Sequence, residues 1–193
     1  MQNSYRIIAG NFRGRKFTFP DAAGLRPTSG RIRETLFNWL QFEITNKTVL
    51  DLFGGSGALS IESLSRGAKE VYVIEKNPVV YKQLLSNLAL LETNNYTLIN
   101  ADALNYLANQ CDKSFDLVFL DPPFSTDLLP KALSLLSSNN CLNSQSKIYI
   151  ESENIINEDK LGSITGYCYN IVKHKKSGKV HYCLININKL WRK

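Results

Sequence analysis

From residue 48 onward, short apolar segments alternate with segments that have helical periodicity. The apolar segments are rich in the β-branched and aromatic residues that favour strands. Strands that are separated by helices form a parallel sheet with helices on both of its faces. The chain is therefore predicted to be an α/β protein with a doubly wound, mostly parallel sheet.

The same pattern predicts seven strands in this sheet. They are expected at about 48–53, 70–75, 96–102, 115–120, 147–151, 167–174 and 180–188. Helices are expected at about 58–66, 78–91, 103–109 and 128–137. The last two strands are joined by a short basic segment that contains Gly178, so they are expected to form an antiparallel C-terminal hairpin.

The first 42 residues follow a different pattern. Apolar runs at 6–10 and 16–19 flank a glycine-containing turn and predict a β-hairpin. Ile32, Leu36 and Leu40 then recur with helical spacing, so a helix is expected at about 30–42. The chain has 193 residues, which fits a single domain, and we expect residues 1–42 to extend a core formed by 43–193.

The net charge of +6 conceals an uneven distribution of charge along the chain. Residues 1–33 contain seven basic residues and one acidic residue, whereas residues 34–169 contain nine basic and sixteen acidic residues. Residues 170–193 contain seven basic residues and no acidic residue. Basic ends around an acidic middle favour a polyanionic partner such as a nucleic acid, although basic ends that are merely solvated give the same pattern.

A glycine-rich turn, from Asp51 to Gly57, follows the first predicted strand of the sheet. Glycines allow a tight turn and a close approach of a ligand to the backbone. The dinucleotide fingerprint would need a third glycine where Ser60 stands, and Asp51 would repel a pyrophosphate. Glu75 and Asp102 end the next two predicted strands, where carboxylates can accept ribose hydroxyls or an adenine amino group. S-adenosylmethionine (SAM), an adenosine with a cationic tail, is the cofactor that fits these acids.

The fourth predicted strand of the sheet ends in Asp121-Pro122-Pro123-Phe124. The acid and a proline carbonyl are hydrogen-bond acceptors, and the prolines fix their geometry because they lock φ. The aromatic ring offers a stacking surface for a planar group. This segment suits a planar amine that must be held and aimed, although a rigid turn after a strand would use the same residues.

No metal site and no membrane segment are expected. The two histidines, His174 and His181, both lie in the tail, and the four cysteines are widely spaced without a C-x-x-C motif. Such cysteines are more often buried thiols in a reducing compartment than disulfides or metal ligands. No apolar stretch approaches the roughly 20 residues of a membrane span. We expect a cytoplasmic protein and, by default, a monomer.

Several segments resemble the RsmD family of class I methyltransferases. They cover nearly the whole chain and are Arg6–Lys16, Leu25–Thr28, Arg31–Leu40, Asp51–Leu59, Glu62–Gly67 and Asp121–Phe124. One departure is Gly54, where the family usually has alanine. The resemblance implies a Rossmann-like fold and SAM-dependent methylation of the exocyclic N2 of one guanine, position 966, in bacterial 16S rRNA. The substrate would be 16S rRNA in the small ribosomal subunit or its assembly intermediate, and the sequence leaves open whether naked rRNA also serves and whether ribosomal proteins are needed to present the base.

The resemblance also implies roles for individual residues. Asp121 and Pro122 would accept the two N2 hydrogens, and Phe124 would stack on the flipped guanine. The residues expected to hold SAM are Asp51, Phe53, Gly55, Ser56, Gly57, Glu75, Lys76, Asp102 and Ala103. The residues expected to contact RNA are Arg13, Arg15, Lys16, Arg26, Thr28, Arg31 and Arg33, with a further phosphate patch at Lys175, Lys176 and Lys179.

Three other functions stay open on the sequence. An amino-methyltransferase that acts on adenine N6 of DNA or on a protein glutamine would usually have Asn in place of Asp121 and Tyr in place of Phe124. A non-catalytic RNA-binding assembly factor would share the fold but would not need an intact glycine turn and tetrapeptide. An NAD-dependent oxidoreductase is disfavoured by Ser60 and Asp51.

Overall fold

The computed structural model describes residues 3–22, 25, 28–124, 126–139, 141–165 and 168–188. The strands within these ranges are β1 (Asn3–Arg6), β2 (Lys16–Phe19), β3 (Thr48–Asp51), β4 (Glu70–Ile74), β5 (Tyr96–Ile99), β6 (Phe115–Leu120), β7 (Leu142–Ser152), β8 (Cys168–Ser177) and β9 (Val180–Asn188). The helices are α1 (Gly30–Trp39), α2 (Ala58–Ser65), α3 (Pro78–Ala89), α4 (Ala103–Asn109), α5 (Leu128–Ser138) and α6 (Glu158–Thr165). None of these helices is both long enough and apolar enough to cross a membrane.

Seven of the strands form one mostly parallel sheet, in the order β5-β4-β3-β6-β7-β9-β8. Parallel pairs join β3 to β4, β4 to β5 and β6 to β7, whereas β9 runs antiparallel to both β7 and β8. The predicted α/β fold, with a seven-stranded sheet and an antiparallel C-terminal hairpin, is confirmed.

The chain divides into two compact units, Met1–Asp102 and Ala103–Lys193, here named the N-terminal unit and the C-terminal unit. The division of the chain into an extension and a core at residue 42 stays a prediction.

The strands and helices of the N-terminal unit bury the residues that the sequence pattern selected. Val49, Leu50 and Val71 in β3 and β4 have no exposed surface, as expected for strands covered on both faces. Helix α1 begins after Ser29, whose hydroxyl accepts a hydrogen bond from the Ile32 N–H at 3.3 Å. This bond satisfies one of the free N–H groups of the first turn, which is the usual reason for serine at this position.

The first strand lies earlier in the chain than the sequence indicated. The prediction was residues 6–10, whereas β1 covers Asn3–Arg6. The segment that follows β1 bonds to α2 instead of to a strand. Gly10 has a φ of +82°, and a Cβ added there would lie 1.9 Å from the carbonyl oxygen of Ser65. The N–H of Asn11 donates to that same oxygen at 2.8 Å. Glycine is required at this close approach of two backbones.

Glu62 fastens the same segment to α2. Its side chain is fully buried and accepts hydrogen bonds from the N–H groups of Ile8 at 2.8 Å and Ala9 at 3.1 Å. The Arg66 guanidinium also donates to this carboxylate, at 2.7 Å. A buried carboxylate is stable only when donors of this kind replace water. Glu62 is therefore an anchor for the N-terminal segment, a role that the sequence pattern did not reveal.

The C-terminal unit contains one element that the sequence did not predict, the helix α6. Gly162, Ser163 and Thr165 in this helix have weak helical propensity, which explains why the sequence pattern did not predict it. Asn157 directly precedes the helix, and its side chain accepts a hydrogen bond from the Lys160 N–H at 2.8 Å. Glu158 and Asp159 in the first turn also interact favourably with the helix dipole.

The prediction that the cysteines are buried thiols is wrong for three of the four. Cys111 and Cys141 form a disulfide, with their Cα atoms 6.2 Å apart, and Cys168 is exposed. The Phe115 N–H donates to the Cys141 carbonyl at 2.9 Å, so the two segments are neighbours in the fold. A separation of 30 residues gives no sign of this proximity in the sequence. Cys183 is buried as expected, and burial raises the pKa of its thiol to about 12.

Replacing Glu62 by alanine should lower the free energy of unfolding by roughly 3 kcal/mol, because two backbone N–H groups and a guanidinium lose a buried acceptor. Urea denaturation followed by circular dichroism measures this change. Glu34→Ala, at an exposed position on α1, is the matched control and should leave the midpoint nearly unchanged. Equal effects of the two substitutions would contradict the anchoring role of Glu62.

Candidate active site

The carboxyl ends of β3, β4 and β5 lie side by side in the N-terminal unit. Asp51 at the end of β3 is in register with Val73, and Ile74 of β4 is in register with Ile99 of β5. The Gly54 N–H donates to the Ile74 carbonyl at 2.8 Å, which ties the glycine turn to the end of β4. Three segments that the sequence singled out are therefore brought to one edge.

Asp51, the last residue of β3, directly precedes the glycine turn and is buried, with only 2% of its surface exposed. Its carboxylate accepts a hydrogen bond from the Ser60 hydroxyl at 2.5 Å. The sequence presented Ser60 only as a missing glycine of the dinucleotide fingerprint. In the folded chain this serine is a donor to the buried acid, so the departure from the fingerprint has a structural purpose.

The turn itself depends on glycine at two positions. Gly55 has a φ of +51° and Gly57 a φ of +77°. The positive φ at Gly57 strains any other residue there, and a Cβ would also lie 2.3 Å from Cδ1 of Leu84, so the Leu84 side chain would have to move. The Ser56 carbonyl accepts a hydrogen bond from the Tyr5 hydroxyl at 3.1 Å, and this bond connects the turn to β1. Helix α2 begins directly after Gly57.

Glu75 connects this turn to the start of α3. One carboxylate oxygen accepts from the Gly55 N–H at 2.8 Å, and the other accepts from the Asn77 N–H at 2.6 Å. The side chain is partly exposed, and each oxygen keeps a second lone pair. Glu75 can therefore accept hydroxyl groups of a ligand while it shapes the turn. Asn77, which also caps α3, is a residue that the sequence analysis missed.

The loop after β5 completes this edge. Lys76 and Asp102 form an ion pair at 3.0 Å, with side chains 76% and 37% exposed. The side-chain amide of Asn100 donates to the carbonyl oxygens of Glu75 at 2.7 Å and Lys76 at 3.1 Å. An exposed ion pair contributes little to stability, so Asn100 is the residue that fixes this segment.

Arg33 does not lie where the sequence placed it. It was expected among the cations that contact RNA, but it is only 4% exposed. Its guanidinium stacks over the Tyr5 ring at 5.0 Å and donates to the Arg6 carbonyl at 3.2 Å. Burial lowers the pKa of Arg33, and the nearby Glu62 charge opposes that shift. The helical spacing of α1 explains the difference, because Arg33 follows Ile32 on the buried side of the helix.

The other cations expected to contact RNA remain at the surface where the structure describes them. Arg13, Lys16 and Arg31 are exposed. Arg15 is exposed as well, although its guanidinium donates to the Leu90 carbonyl at 3.0 Å. Thr28 was also expected to contact RNA, but it is buried, with 9% of its surface exposed. Arg26 lies outside the described residues.

The Asp-Pro-Pro-Phe segment of the C-terminal unit directly follows β6. Asp121 and Phe124 are partly exposed, Pro122 is buried and Pro123 is exposed. The Pro123 carbonyl accepts a hydrogen bond from the Thr126 hydroxyl at 2.7 Å, so the segment turns back on itself. The carboxylate of Asp121 and the ring of Phe124 are therefore accessible to solvent on a segment whose two prolines restrict its backbone. In the same unit, Ala103 is buried at the start of α4.

A buried tyrosine and a buried glutamate accompany this segment. The Tyr149 hydroxyl donates to the Glu151 carboxylate at 2.9 Å, and the Tyr149 ring meets the Phe119 ring edge-on at 6.1 Å. Burial raises the pKa of Tyr149 well above its usual value, and the Glu151 and Asp121 charges raise it further. The sequence analysis placed Glu151 at the end of a strand but gave it no role.

Comparison with known proteins identifies a family to which this chain is similar. A family model described as "Conserved hypothetical protein 95" matches residues 5–186. The chain is 43% identical over 179 residues to the Ribosomal RNA small subunit methyltransferase D of Escherichia coli (strain K12), which covers 93% of this chain and 88% of that protein.

Two solved structures have similar folds. A putative methyltransferase of Escherichia coli superposes with a TM-score of 0.83 at 39% identity, covering 96% of this chain and 99% of that chain. The 16S rRNA N2 G1207 methyltransferase of Thermus thermophilus, solved with AdoMet and guanosine, has a TM-score of 0.72 at 21% identity, covering 97% of this chain and 50% of that chain. The second likeness concerns the fold alone. Because the family model and the 43% identical relative each cover most of the chain, the protein belongs to the RsmD family of methyltransferases.

Proposed function

We propose that the protein transfers a methyl group from SAM to the exocyclic N2 of a guanine in bacterial 16S rRNA, position 966 in the family. Its substrate is the small ribosomal subunit or an assembly intermediate, and ribosomal proteins help to present the base. The observation that carries this proposal is the Asp121–Phe124 segment, partly exposed after β6 in a chain that belongs to the RsmD family. The name of the Escherichia coli relative supports rRNA of the small subunit as the substrate class.

The chemistry of the N-terminal unit fits SAM. Asp51 ends β3 and Glu75 follows β4, and acids at these two positions favour a ligand with positive charge over a pyrophosphate. The Glu75 carboxylate can accept hydroxyl groups such as those of a ribose, since each oxygen keeps a free lone pair. The Thermus thermophilus enzyme of similar fold was solved with AdoMet.

In the proposed complex Glu75 binds the ribose and Asp102, with Ala103, faces the adenine. The backbone of Gly55–Gly57 borders the methionine part, and Asp51 beneath the turn provides a negative charge that favours the ammonium group. The remaining residues assigned to the SAM site are Phe53, Ser56 and Lys76. SAM, when bound, supplies a methyl group that is already activated by a positively charged sulfur, so the proposal needs no metal ion.

The residues of the Asp-Pro-Pro-Phe segment act on the base. The lone pair of guanine N2 is delocalised into the ring and is therefore a poor nucleophile. Asp121 and the Pro122 carbonyl accept the two N2 hydrogens, which localises the lone pair and directs it at the methyl carbon. Phe124 stacks on the guanine after the base has flipped out of its helix. The contribution of these residues is positioning and electrostatics.

Exposed cations hold the RNA backbone in this proposal. Arg13, Arg15, Lys16, Arg26 and Arg31 contact phosphates, and Lys175, Lys176 and Lys179 of the C-terminal hairpin form a second patch. We place the protein in the cytoplasm as a monomer.

The purified protein is expected to transfer labelled methyl groups from SAM to small subunits, or to their assembly intermediates, from a strain that lacks the gene. N2-methylguanine is identified by mass spectrometry after digestion of the rRNA. Asp121→Ala should slow this transfer by roughly 100-fold, because an acceptor is lost at the reacting nitrogen.

The SAM affinity of Asp121→Ala, measured by calorimetry, should stay within about twofold of the wild type. Asp112→Ala, an exposed acid of the same unit, is the matched control and should have wild-type activity. If the wild-type protein yields no labelled N2-methylguanine, the proposed function is wrong. If Asp121→Ala weakens SAM binding instead of turnover, Asp121 belongs to the cofactor site.

Glu75→Gln should weaken SAM binding by roughly tenfold, because the amide replaces an acceptor oxygen by a donor at the ribose and at the turn. Isothermal calorimetry with SAM measures the effect. Glu70→Gln, at the opposite end of β4, removes the same charge and should bind SAM normally. Wild-type affinity of Glu75→Gln would remove this residue from the proposed site.

Lys16→Ala and Arg31→Ala should each reduce the salt dependence of RNA binding, by about 0.7–0.9 in the slope of log K against log salt. Arg33→Ala should instead lower the unfolding midpoint, because Arg33 is buried. Lys82→Ala, an exposed position on α3, is the control. Fluorescence anisotropy with a labelled rRNA fragment gives the slopes, and unchanged slopes for Lys16→Ala and Arg31→Ala would refute the phosphate contacts.

A further inference from the structure

We propose that Glu151 is a positioning residue for the methyl transfer, which acts by placing a second carboxylate beside Asp121. The inference rests on the proposed function of Asp121 and concerns only residues of the C-terminal unit. Neither the Asp-Pro-Pro-Phe segment nor the family resemblance assigns a role to Glu151.

The register of two parallel strands brings the two acids together. Phe119 of β6 is in register with Tyr149 of β7, and Leu120 is in register with Ile150. The next residue on each strand is an acid, Asp121 after β6 and Glu151 within β7. Neighbouring strands are about 4.8 Å apart. Two acids that each come directly after the pair Leu120 and Ile150 are therefore close neighbours.

The two acids also share one face of the sheet. Side chains alternate between faces along a strand, so Asp121 is on the side of Phe119, and Glu151 is on the side of Tyr149. The rings of Phe119 and Tyr149 are in contact at 6.1 Å, which shows that these two residues share a face. The negative charge of Asp121 also acts on the Tyr149 hydroxyl, as expected from this placement.

Glu151 is held in this position by its surroundings. It is only 3% exposed, and the Tyr149 hydroxyl donates to it at 2.9 Å. Tyr182 of β9 is in register with Glu151 on the side opposite β6. Because burial keeps the Tyr149 hydroxyl protonated, this hydroxyl acts as the donor to the carboxylate. A buried carboxyl group with this fixed partner has few orientations.

The consequence concerns the charge that develops on guanine N2. The N2 lone pair forms the bond to the methyl carbon, and the bond from that carbon to sulfur breaks with its electron pair left on sulfur. N2 becomes positively charged and passes a proton to the Asp121 carboxylate. A second negative charge beside Asp121 makes it a stronger proton acceptor and stabilises the cationic N2 before the proton leaves.

Glu151→Gln keeps the size of the side chain and an acceptor for Tyr149 but removes the charge. We expect the kcat of methyl transfer to fall roughly tenfold, while the KM for the ribosomal substrate and the SAM affinity stay unchanged. Glu153→Gln removes the same charge two residues later at an exposed position and should retain the wild-type kcat. A wild-type kcat for Glu151→Gln, or a loss that lies entirely in KM or SAM affinity, would overturn the inference.

A stability cycle tests the pair without measuring activity. Asp121→Asn should raise the urea midpoint of the wild type, because it relieves repulsion between like charges, and should not raise that of Glu151→Gln. Equal shifts in the two backgrounds would show that the acids do not act on each other and would refute the proposal. The cycle remains decisive even if the wild-type protein methylates no guanine, an outcome that would reject the proposed function by itself.

If Glu151→Gln does not fold, Tyr149→Phe takes its place. It removes the hydroxyl that orients Glu151 and is expected to lower kcat severalfold at unchanged KM. A wild-type kcat for Tyr149→Phe would then count against the positioning role.

Discussion

The parallel register of β3, β4 and β5 is the constraint on which the N-terminal site depends. It aligns the carboxyl ends of three strands, so Asp51, Glu75 and Asn100 meet at one edge although they are far apart in the sequence. The Glu75 carboxylate then joins this edge to the glycine turn through the Gly55 N–H and to the start of α3 through the Asn77 N–H. A ligand that reaches this edge meets a surface whose acceptors are already fixed, which lowers the cost of ordering them on binding.

Buried carboxylates recur at the positions that determine the structure of each unit. Asp51 is bonded by Ser60, Glu62 by the N–H groups of Ile8 and Ala9, and Glu151 by Tyr149. Each acid costs free energy to bury, and each is retained with donors aimed at it. Glu62 attaches the basic N-terminal segment, whereas Asp51 is part of the proposed SAM site and Glu151 is proposed to lie beside Asp121, which acts on guanine. Structural anchoring and local negative potential are therefore provided by the same residue type.

The sequence predicted most strands and helices correctly. Strands that are buried on both faces of a sheet are continuous apolar runs, and the helices that cover them have apolar residues at helical spacing, so the two are easily told apart. It also identified the acids at strand ends, since the carboxyl ends of parallel strands meet at one edge. It failed where a residue's role depends on a distant partner. The sequence suggested a surface role for Arg33, but its guanidinium stacks on the Tyr5 ring in the folded chain. The sequence likewise showed Ser60 only as a missing glycine, whereas its hydroxyl donates to Asp51. The Cys111–Cys141 pair and the segment bound by Glu62 likewise depend on contacts that no local pattern encodes.

The central claim is that this member of the RsmD family methylates N2 of one guanine in 16S rRNA. Mass mapping of 16S rRNA from strains with and without the gene tests it most directly. The account predicts N2-methylguanine at the family position only when the gene is present, restored by the wild-type copy but not by Asp121→Ala. The same modification pattern in both strains, or a gene-dependent methyl group on a different base, would contradict it.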